Sequence, residues 1–236
     1  MSQDKPEFDH FSDAYEQLAA HPIRDRFGSG GSEFFRLRKR DLIRAYFQRR
    51  RTDTRKLDYL DLGCGKGELA SLLRSDFARV AGCDPSEGML SAGELVSKGI
   101  EARVQDDPGR IPFEDAVFDF VTAVCVFHHA PPSACIALTR EARRVLKPGG
   151  TLAIIEHNPY NPVTRLIVSR TPVDADAILL RPAETRRLFR DAGLTVDEHQ
   201  YFLYFPESIY RRFGWLEAAL GKVPLGGQYA VFGHSA

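Results

Sequence analysis

Three alternating glycines, Gly63, Gly65 and Gly67, follow a short apolar run that contains Asp61. Because glycine has no Cβ, such a loop can take the positive φ of a tight turn and lets a ligand approach the backbone closely. Asp84 ends the next apolar run, about twenty residues later, where a carboxylate can accept hydrogen bonds from both hydroxyls of a ribose. The loop and the acid together predict a binding site for a ligand that contains a ribose.

The spacing of the glycines narrows the choice of ligand. Dinucleotide-binding enzymes use the pattern Gly-x-Gly-x-x-Gly, in which the wider loop accommodates a pyrophosphate. Residues 63–67 read Gly-x-Gly-x-Gly instead. This difference argues against an NAD(P)-dependent oxidoreductase, which is the less favoured alternative.

Two pairs of titratable residues follow later apolar runs. His128 and His129 come directly after the fourth run, and Glu156 and His157 end the fifth. Histidine titrates near neutral pH, so His129, and after it His128, are predicted as general bases. Glu156 and His157 are predicted to contact substrate. The alternatives are packing against the helix near Pro131 for the first pair and hydrogen bonding within the loop for the second.

Two long connections near the same edge of the predicted sheet, at about 157–180 and 203–226, are predicted to be insertions that bind substrate. Tyr160 and Tyr204 lie in them, and Tyr15 lies on the apolar side of a predicted N-terminal helix. These three tyrosines are predicted to contact substrate. Packing in the hydrophobic core is the alternative for aromatic residues here.

A strongly basic helical segment at 36–51 follows a glycine-rich patch at 28–32. A solvated face is one interpretation of its charges, and attraction of an anionic group on a substrate is the other. Residues 1–52 are predicted to form an N-terminal helical lid, and residues 53–236 the main domain.

From residue 57 onward, short apolar runs alternate with helical patterns, as in βαβ units that feed a mainly parallel sheet. Strands are predicted at 57–62, 78–83, 101–105, 117–124, 151–156, 195–202 and 227–233. Helices are predicted at 67–75, 87–97, 132–145, 182–191 and 206–220. Right-handed crossovers place helices on both faces of such a sheet, which makes an α/β, doubly wound, Rossmann-like fold.

The composition excludes some classes of partner. The 236 residues include 32 basic and 32 acidic side chains, so no net field attracts nucleic acid or an anionic membrane. No run is long and apolar enough to predict a membrane span. The four cysteines form no Cys-x-x-Cys pair, and reduced thiols with a cytoplasmic location are predicted. No metal site is predicted.

Five motifs in order along residues 57–156 resemble the class I S-adenosylmethionine (SAM)-dependent methyltransferases, and more narrowly the small-molecule group typified by enzymes of ubiquinone and menaquinone biosynthesis. The motifs are Leu60 to Gly67, Gly82-Cys83-Asp84-Pro85-Ser86 with Met89-Leu90, Ile111-Pro112-Phe113 with Phe118-Asp119, His128-His129, and Arg144-Val145-Leu146-Lys147-Pro148-Gly149-Gly150. The resemblance implies a seven-stranded sheet in the order 3-2-1-4-5-7-6 with the last strand antiparallel.

The resemblance also implies roles in binding SAM. Gly63 and Gly65 would pass under its methionine part, Asp61 would reach its amino group, and Asp84 would hold its ribose. A carboxylate after the third strand would accept from the adenine amino group, and both Asp106 and Asp107 are candidates for it. The full predicted set that binds the cofactor is Asp61, Gly63, Cys64, Gly65, Gly67, Asp84, Pro85, Met89, Asp106, Asp107 and Ala123.

By this resemblance, the chain is predicted to transfer a methyl group from SAM to a small-molecule acceptor, with S-adenosylhomocysteine (SAH) as product. The acceptor is expected to be anionic or partly apolar, and the methylated atom, O, N or C, stays open. The main alternative is a protein that binds SAM without turnover and acts as a regulator or partner. The sequence does not predict an oligomeric state.

Overall fold

In a computed structural model, which describes residues 14–28 and 31–236, seven strands form a single sheet in the order β3-β2-β1-β4-β5-β7-β6. The strands are β1 (Asp58–Leu62), β2 (Arg79–Asp84), β3 (Glu101–Val104), β4 (Phe118–Val124), β5 (Leu146–His157), β6 (Leu194–Phe202) and β7 (Gln228–Ser235). Only β7 runs antiparallel to its neighbours, β5 and β6. The predicted strand order and the antiparallel last strand are confirmed.

The register of the central strands brings their carboxyl ends to one edge of the sheet. Leu62 on β1 lies opposite Cys83 on β2 and Ala123 on β4. The strand order reverses direction at β1, since β2 and β4 pair on its two sides. In doubly wound sheets, ligands bind at this switch point, beyond the carboxyl ends of the strands.

The ten α-helices of the described residues pack around the sheet. They are α1 (Tyr15–Leu18), α2 (Pro22–Phe27), α3 (Ser32–Arg49), α4 (Glu68–Leu73), α5 (Glu87–Ala92), α6 (Pro132–Val145), α7 (Pro162–Val168), α8 (Pro182–Asp191), α9 (Glu207–Phe213) and α10 (Leu216–Leu220). Short 3-10 turns at 54–56, 96–98, 127–129 and 172–174 complete the connections.

Alternation along the strands builds two hydrophobic cores, one on each face of the sheet. Leu60 and Val121 point to the core that contains helix α6 residues such as Ala142. Their neighbours Tyr59 and Phe120 point to the other core, against α3 and α4. Side chains alternate between faces with period two, so helices cover both faces of the sheet as predicted.

Helix α3 belongs to the second core. Its buried residues Ile43, Tyr46 and Phe47 lie in that cluster, and the Tyr46 ring stacks on Phe232 of β7 with centroids 4.1 Å apart. The apolar side of the basic segment is therefore tied to the sheet. The predicted boundary between a lid at 1–52 and a main domain at 53–236 stays a prediction.

The arginines of α3 pair with carboxylates of neighbouring elements. Arg36 contacts Glu68 at 2.9 Å, Arg44 contacts Asp76 at 2.6 Å, and Arg49 contacts Glu198 at 2.8 Å. The buried Arg38 pairs with Glu217 on α10. Much of this basic face is therefore neutralised within the molecule, which neither of the two interpretations of the sequence anticipated.

Three element boundaries differ from prediction. Strand β5 begins at Leu146 instead of 151, because Leu146 pairs with Phe118 before a register shift in β4. The predicted helix at 206–220 is two helices, since α9 ends at Gly214, whose N–H donates to Tyr210 O at 2.7 Å. The predicted helix at 87–97 ends at Ala92.

Among the described residues, no helix combines the length and the apolar composition that a bilayer crossing requires. The four cysteines are free.

Candidate active site

The glycine loop makes a tight turn between β1 and α4. Gly63, Gly65 and Gly67 all have positive φ, at 67°, 53° and 65°. A Cβ at Gly63 would lie 2.5 Å from Val126 Cγ2, and one at Gly67 would lie 2.0 Å from Leu95 Cδ2. Both the backbone conformation and the close packing thus require glycine, as the sequence predicted.

Asp84 is anchored to the loop by its side chain. Its Oδ2 accepts a hydrogen bond from Gly65 N–H at 2.8 Å, and its Oδ1 accepts from Ser86 N–H at 2.9 Å. Asp84 is 8% exposed and lies at the end of β2. These bonds fix the carboxylate beside the glycine loop, at the edge where the sequence places a ribose.

Asp61 is buried beneath the same loop. Its Oδ1 accepts from Thr122 Oγ1 at 2.8 Å, and the Tyr59 hydroxyl lies 2.7 Å from that Oγ1. Burial raises the pKa of Asp61 to about 6, although the hydrogen bonds of Thr122 and Tyr59 and the charge of Lys39 lower it. Ionisation of this buried carboxyl therefore costs free energy, but the ionised form is the one that would pair with an ammonium group.

A first cavity of about 290 Å³ opens over the loop. The predicted cofactor residues that line it are Asp61, Gly63, Cys64, Gly65, Asp84, Pro85 and Met89. Helix α3 closes the other side with Phe35, Arg36 and Lys39. This cavity brings together most of the residues that the sequence assigned to SAM.

A second cavity of about 310 Å³ lies beside the first. Its walls combine polar residues, such as His157, Asp174 and Gln228, with the apolar residues Phe27, Val163, Ile167, Val168, Val173 and Leu203. The two cavities share Ala19, Arg24, Phe35, Lys39, Cys125 and His129 as lining residues. Two adjoining chambers with a common wall suit two ligands that meet at the carboxyl end of β4.

His128 and Glu156 form a buried pair at the base of the second cavity. His128 Nδ1 lies 2.6 Å from Glu156 Oε2, while Glu156 Oε1 accepts from the N–H groups of Val126 and Phe127 at 3.0 and 2.8 Å. Asp174 Oδ1 lies 3.5 Å from the other ring nitrogen of His128. Burial opposes charge on the imidazole, but the two carboxylates raise the pKa of His128 well above its usual value.

His129 differs from its neighbour in both position and charge. It lines both cavities, and its Nε2 lies 3.7 Å from Asp174 Oδ1. Burial and the adjacent His128 lower the pKa of His129 to about 4. His129 is therefore a neutral imidazole at the common wall, whereas His128 lines only the second cavity.

Cys125 occupies the common wall in a left-handed backbone conformation, with φ of 56°. Lys39 Nζ lies 3.8 Å from its Sγ, and Gln228 Nε2 donates to it at 3.4 Å. Burial raises the pKa of Cys125, but the charges of Lys39 and His157 outweigh it and lower the pKa to about 7. The common wall thus gathers the cationic side chains of Arg24 and Lys39, the Cys125 thiol and the His129 imidazole.

Several predicted site residues lie elsewhere. Gly67 caps α4 and Ala123 lies inside β4, so neither lines a cavity. Asp106 and Asp107 are exposed outside both cavities, and Asp107 Oδ1 accepts from Gly109 N–H at 2.8 Å. Their roles in binding adenine and the methionine part stay predictions.

Some of the residues predicted to contact substrate line the second cavity, and others lie outside both cavities. His157 and Tyr204 line the second cavity, and the Tyr204 hydroxyl donates to the carbonyl of Leu220 or Val223. Tyr160 is 48% exposed and lies outside both cavities. The prediction for Tyr15 falls on a side chain outside the described residues.

Glu156 was also predicted to contact substrate. Its two oxygens lie within hydrogen-bond distance of His128 Nδ1 and of two loop N–H groups, and it lines neither cavity. Contact of Glu156 with substrate stays a prediction.

Three lining residues had no role in the sequence analysis. Lys39 belongs to the basic segment but was not distinguished from its neighbours, although it is the residue that reaches the common wall. Asp174 and Gln228 lie far apart in the sequence and meet only at the second cavity. No local pattern marks either of them.

Comparisons with known proteins agree with this geometry. The profile of a family described as "Methyltransferase domain" matches residues 60–154. A 2-phytyl-1,4-naphtoquinone methyltransferase of Synechococcus elongatus is 37% identical over 115 residues, 45% of this chain and 48% of that protein. The chain thus spans about half the length of this relative. A ubiquinone biosynthesis O-methyltransferase of Thiobacillus denitrificans is 27% identical over 84% of this chain and 91% of its own.

The fold is shared with solved structures. A SAM-dependent methyltransferase of Thermotoga maritima, described as a possible histamine N-methyltransferase, superimposes with a TM-score of 0.66 at 19% identity. The superposition covers 97% of this chain and 98% of that one. Residues 60–154 thus match a methyltransferase domain, and the strand order is that of the Rossmann-like fold of SAM-dependent methyltransferases, which the chain resembles.

Proposed function

We propose that this protein transfers a methyl group from SAM to a small-molecule acceptor. The observation that carries the proposal is the pair of adjoining cavities, one over the glycine loop and one lined by apolar side chains, with Lys39, Cys125 and His129 in their common wall. A transfer between two bound molecules requires such a shared boundary, since the reacting atoms must come within about 3 Å.

The residues of the first cavity fit SAM. The glycine loop offers backbone that a side chain would otherwise cover, and Asp84 lies beside it with a fixed carboxylate. Asp61 supplies a buried anion for the amino group, and Met89 and Pro85 supply apolar contacts for a base. In this proposal Asp84 accepts from the ribose hydroxyls and Asp61 accepts from the ammonium group.

The second cavity indicates the chemistry of the acceptor. Gln228 is 5% exposed, and its Oε1 has no hydrogen-bond partner within the part of the chain that the structure describes. A buried polar atom without a partner is costly, so a ligand that donates to it gains affinity. The acceptor proposed here has an apolar body for the walls and an O–H or N–H group for Gln228.

The positive charge of Lys39 also indicates the class of acceptor. No carboxylate lies within ion-pair distance of its ammonium among the described residues, and its recorded partner is Cys125 Sγ. A positive charge at the common wall lowers the pKa of a hydroxyl beside it. A hydroxyl on an apolar ring suits the wall, and the relatives named above act in quinone pathways, which supports this class of acceptor.

Bound SAM supplies a methyl group on a positively charged sulfur, which makes that carbon electrophilic. The protein has to hold the acceptor in line with it, exclude water and receive a proton where the acceptor carries one. Phe27 from α2 and Phe35 from α3 line the second cavity and would limit the access of water to it. Lys39, at the wall between both cavities, is placed to stabilise the developing anion. His129 lies there as a neutral imidazole, but its lowered pKa makes it a weak proton acceptor.

The first test is calorimetric titration of the purified protein with SAH, set beside NADH. We expect micromolar affinity for SAH, no heat from NADH, and a loss of at least tenfold in Asp84→Ala. Asp191→Ala, which changes an exposed carboxylate, is the matched control and should bind normally. No binding of SAH by the intact protein contradicts the proposal.

Turnover is tested separately, by mass spectrometry of reactions that contain SAM and a panel of apolar phenols and amines. Formation of SAH together with a methylated product supports an enzyme. Tight SAH binding without methylation of any acceptor would favour the alternative, a protein that binds SAM as a regulator.

The contact with the acceptor is tested by Gln228→Leu. Removing the amide takes away the partner for the acceptor's donor, so KM for the acceptor should rise roughly 5- to 30-fold while the affinity for SAH is unchanged. Gln200→Leu is the control, because Gln200 Nε2 is also buried without a partner but lies outside both cavities. Equal effects of the two substitutions would refute the assignment.

A further inference from the structure

We propose that His128, His157 and Asp174 bind a divalent transition-metal ion at the base of the second cavity. One ligand atom from each residue lies within 4.8 Å of the other two. All three residues line the second cavity, and none lines the first. Two imidazoles and a carboxylate around an open space are a recurrent donor set for zinc and iron in proteins.

The orientation of His128 is already that of a metal ligand. Its Nδ1 lies 2.6 Å from Glu156 Oε2, so with the proton on Nδ1 the Nε2 lone pair points to Asp174. Glu156 is in turn held by the N–H groups of Val126 and Phe127. Metal-ligating histidines commonly give their second ring nitrogen to a carboxylate in this way, which fixes the ring and raises its basicity.

The distance between two of the ligands also fits an ion. His128 Nε2 and Asp174 Oδ1 are 3.5 Å apart, which is long for a hydrogen bond. With bonds of about 2.0–2.2 Å, neighbouring ligands around a tetrahedral ion are about 3.4 Å apart. The pair is therefore spaced as two ligands of one ion are, and His157, whose ligand atom lies within 4.8 Å of both, would move closer to join them.

The local charge favours a cation. The side chains of Glu156 and Asp174 are 1% and 13% exposed, so both carboxylates act in a medium that screens them weakly. Nitrogen ligands select zinc, cobalt or iron over magnesium and calcium, which prefer oxygen. A bound ion would replace the proton on His128 Nε2.

The remaining coordination positions of the ion would face the second cavity. If the proposed methyl transfer holds, an oxygen of the acceptor would occupy one of them, and the ion would hold that oxygen and lower its pKa. Metal binding itself does not depend on that activity, because none of the three ligands contributes to the cavity assigned to SAM.

The test uses the full-length protein after dialysis against a chelator. Titration with Co²⁺ alone, followed by visible absorption, should reach one equivalent and give the bands of a site with nitrogen and oxygen ligands. Zn²⁺ should displace Co²⁺, and Mg²⁺ should not. Asp174→Asn and His157→Ala should each weaken Co²⁺ binding by at least tenfold.

Two controls keep the result interpretable. His234→Ala removes a histidine that also lies near a carboxylate, with Nδ1 2.8 Å from Asp197 Oδ1, and it should leave Co²⁺ binding unchanged. The affinity of each variant for SAH shows that it is folded, and it reports on the cofactor site independently. His128 is not substituted, because its side chain is 1% exposed and its loss would disturb the loop.

Three outcomes would overturn the proposal. These are no Co²⁺ binding by the intact protein, binding that survives both Asp174→Asn and His157→Ala, and absorption typical of thiolate ligands, which would place the ion on cysteine. If the intact protein does not bind SAH, the proposed function is contradicted. The Co²⁺ titration then still decides on the metal site alone.

Discussion

Asp61 illustrates how a buried carboxylate beneath the glycine loop lowers the stability of the folded state. It is 3% exposed, and burial raises its pKa from 3.8 to about 6. An acid whose pKa is raised on folding destabilises the folded state once it ionises. The cost is absent below pH 3.8, grows as the pH rises toward 6 and is complete above it, at about 3 kcal/mol.

The substitution Asp61→Asn should therefore stabilise the protein and impair the site. It removes the buried charge but keeps an oxygen that can accept from Thr122 Oγ1. We expect the free energy of unfolding without ligand to rise by up to about 3 kcal/mol at pH 7, with little change at pH 4. Urea denaturation at the two pH values measures this, and calorimetry should show at least tenfold weaker SAH binding. A variant that is less stable at pH 7 contradicts the electrostatic argument.

The same titration predicts a pH dependence of SAH binding. Below about pH 6 Asp61 gains a proton and no longer offers a full negative charge to the ammonium group, so affinity should fall roughly tenfold at pH 5. Lys39, from α3, and Asp84, from β2, also face this carboxyl and shift its pKa in opposite directions. Calorimetry between pH 5 and 8 is the measurement. A profile for Asp61→Asn as steep as that of the native protein would assign the effect to another group.

At the scale of elements, the turn between β1 and α4 depends on packing as well as on backbone conformation. Gly67 has φ of 65° and caps α4, and a Cβ there would meet Leu95 Cδ2 at 2.0 Å. Gly149, near the start of the long strand β5, has φ of 77°, and a Cβ added there would have no heavy atom of a neighbouring residue within 4 Å. The two glycines share a left-handed conformation and differ in what surrounds them.

Comparing Gly67→Ala with Gly149→Ala separates these two effects. The left-handed conformation alone should cost about 1–2 kcal/mol in either variant. Overlap with Leu95 adds about 1–3 kcal/mol for Gly67→Ala only. Urea denaturation measures both variants, and the one at Gly67 should also bind SAH more weakly. Equal losses of stability would mean that Leu95 moves aside without cost.

At the scale of the whole molecule, the segment that contains helices α1 and α2 contributes residues to the walls of both cavities. Arg24 lines both cavities, donates to Ala19 O at 2.6 Å and to Ser32 Oγ at 2.9 Å, and lies 5.4 Å from the Phe35 ring centroid. It joins α1, α2 and the start of α3. Arg24 belongs to neither of the two hydrophobic cores.

Arg24→Ala should therefore loosen the cover of the cavities without unfolding the domain. We expect SAH affinity to fall about three- to tenfold, and amide hydrogen exchange over residues 14–28 to accelerate, with less than about 1 kcal/mol lost in global stability. Arg26→Ala, on the same helix but exposed, is the control. If both variants retain native SAH affinity, this segment does not cover the cavity.

Local sequence patterns determined most of the fold. Buried strands were visible as apolar runs, and the glycine spacing together with Asp84 indicated the position of the first cavity, because these residues lie within one βαβ unit. The errors in the predicted helix and strand ends lie where strand pairing or tertiary contacts set those ends. Residues 146–150 extend β5 because they pair with β4, and the helix predicted at 206–220 breaks at Gly214.

The sequence by itself determined the resemblance to class I SAM-dependent methyltransferases, the strand order that this resemblance implies and the glycine loop, since motifs of adjacent residues carry this information. Only the tertiary structure decided the second cavity. Lys39, His128, Asp174 and Gln228 are brought together from α3, the loop after β4, a 3-10 turn and β7. The charge and hydrogen bonding of such residues depend on neighbours that lie far away in the chain. No local spacing encodes those neighbours, so the cavity proposed for the acceptor became visible only in the folded molecule.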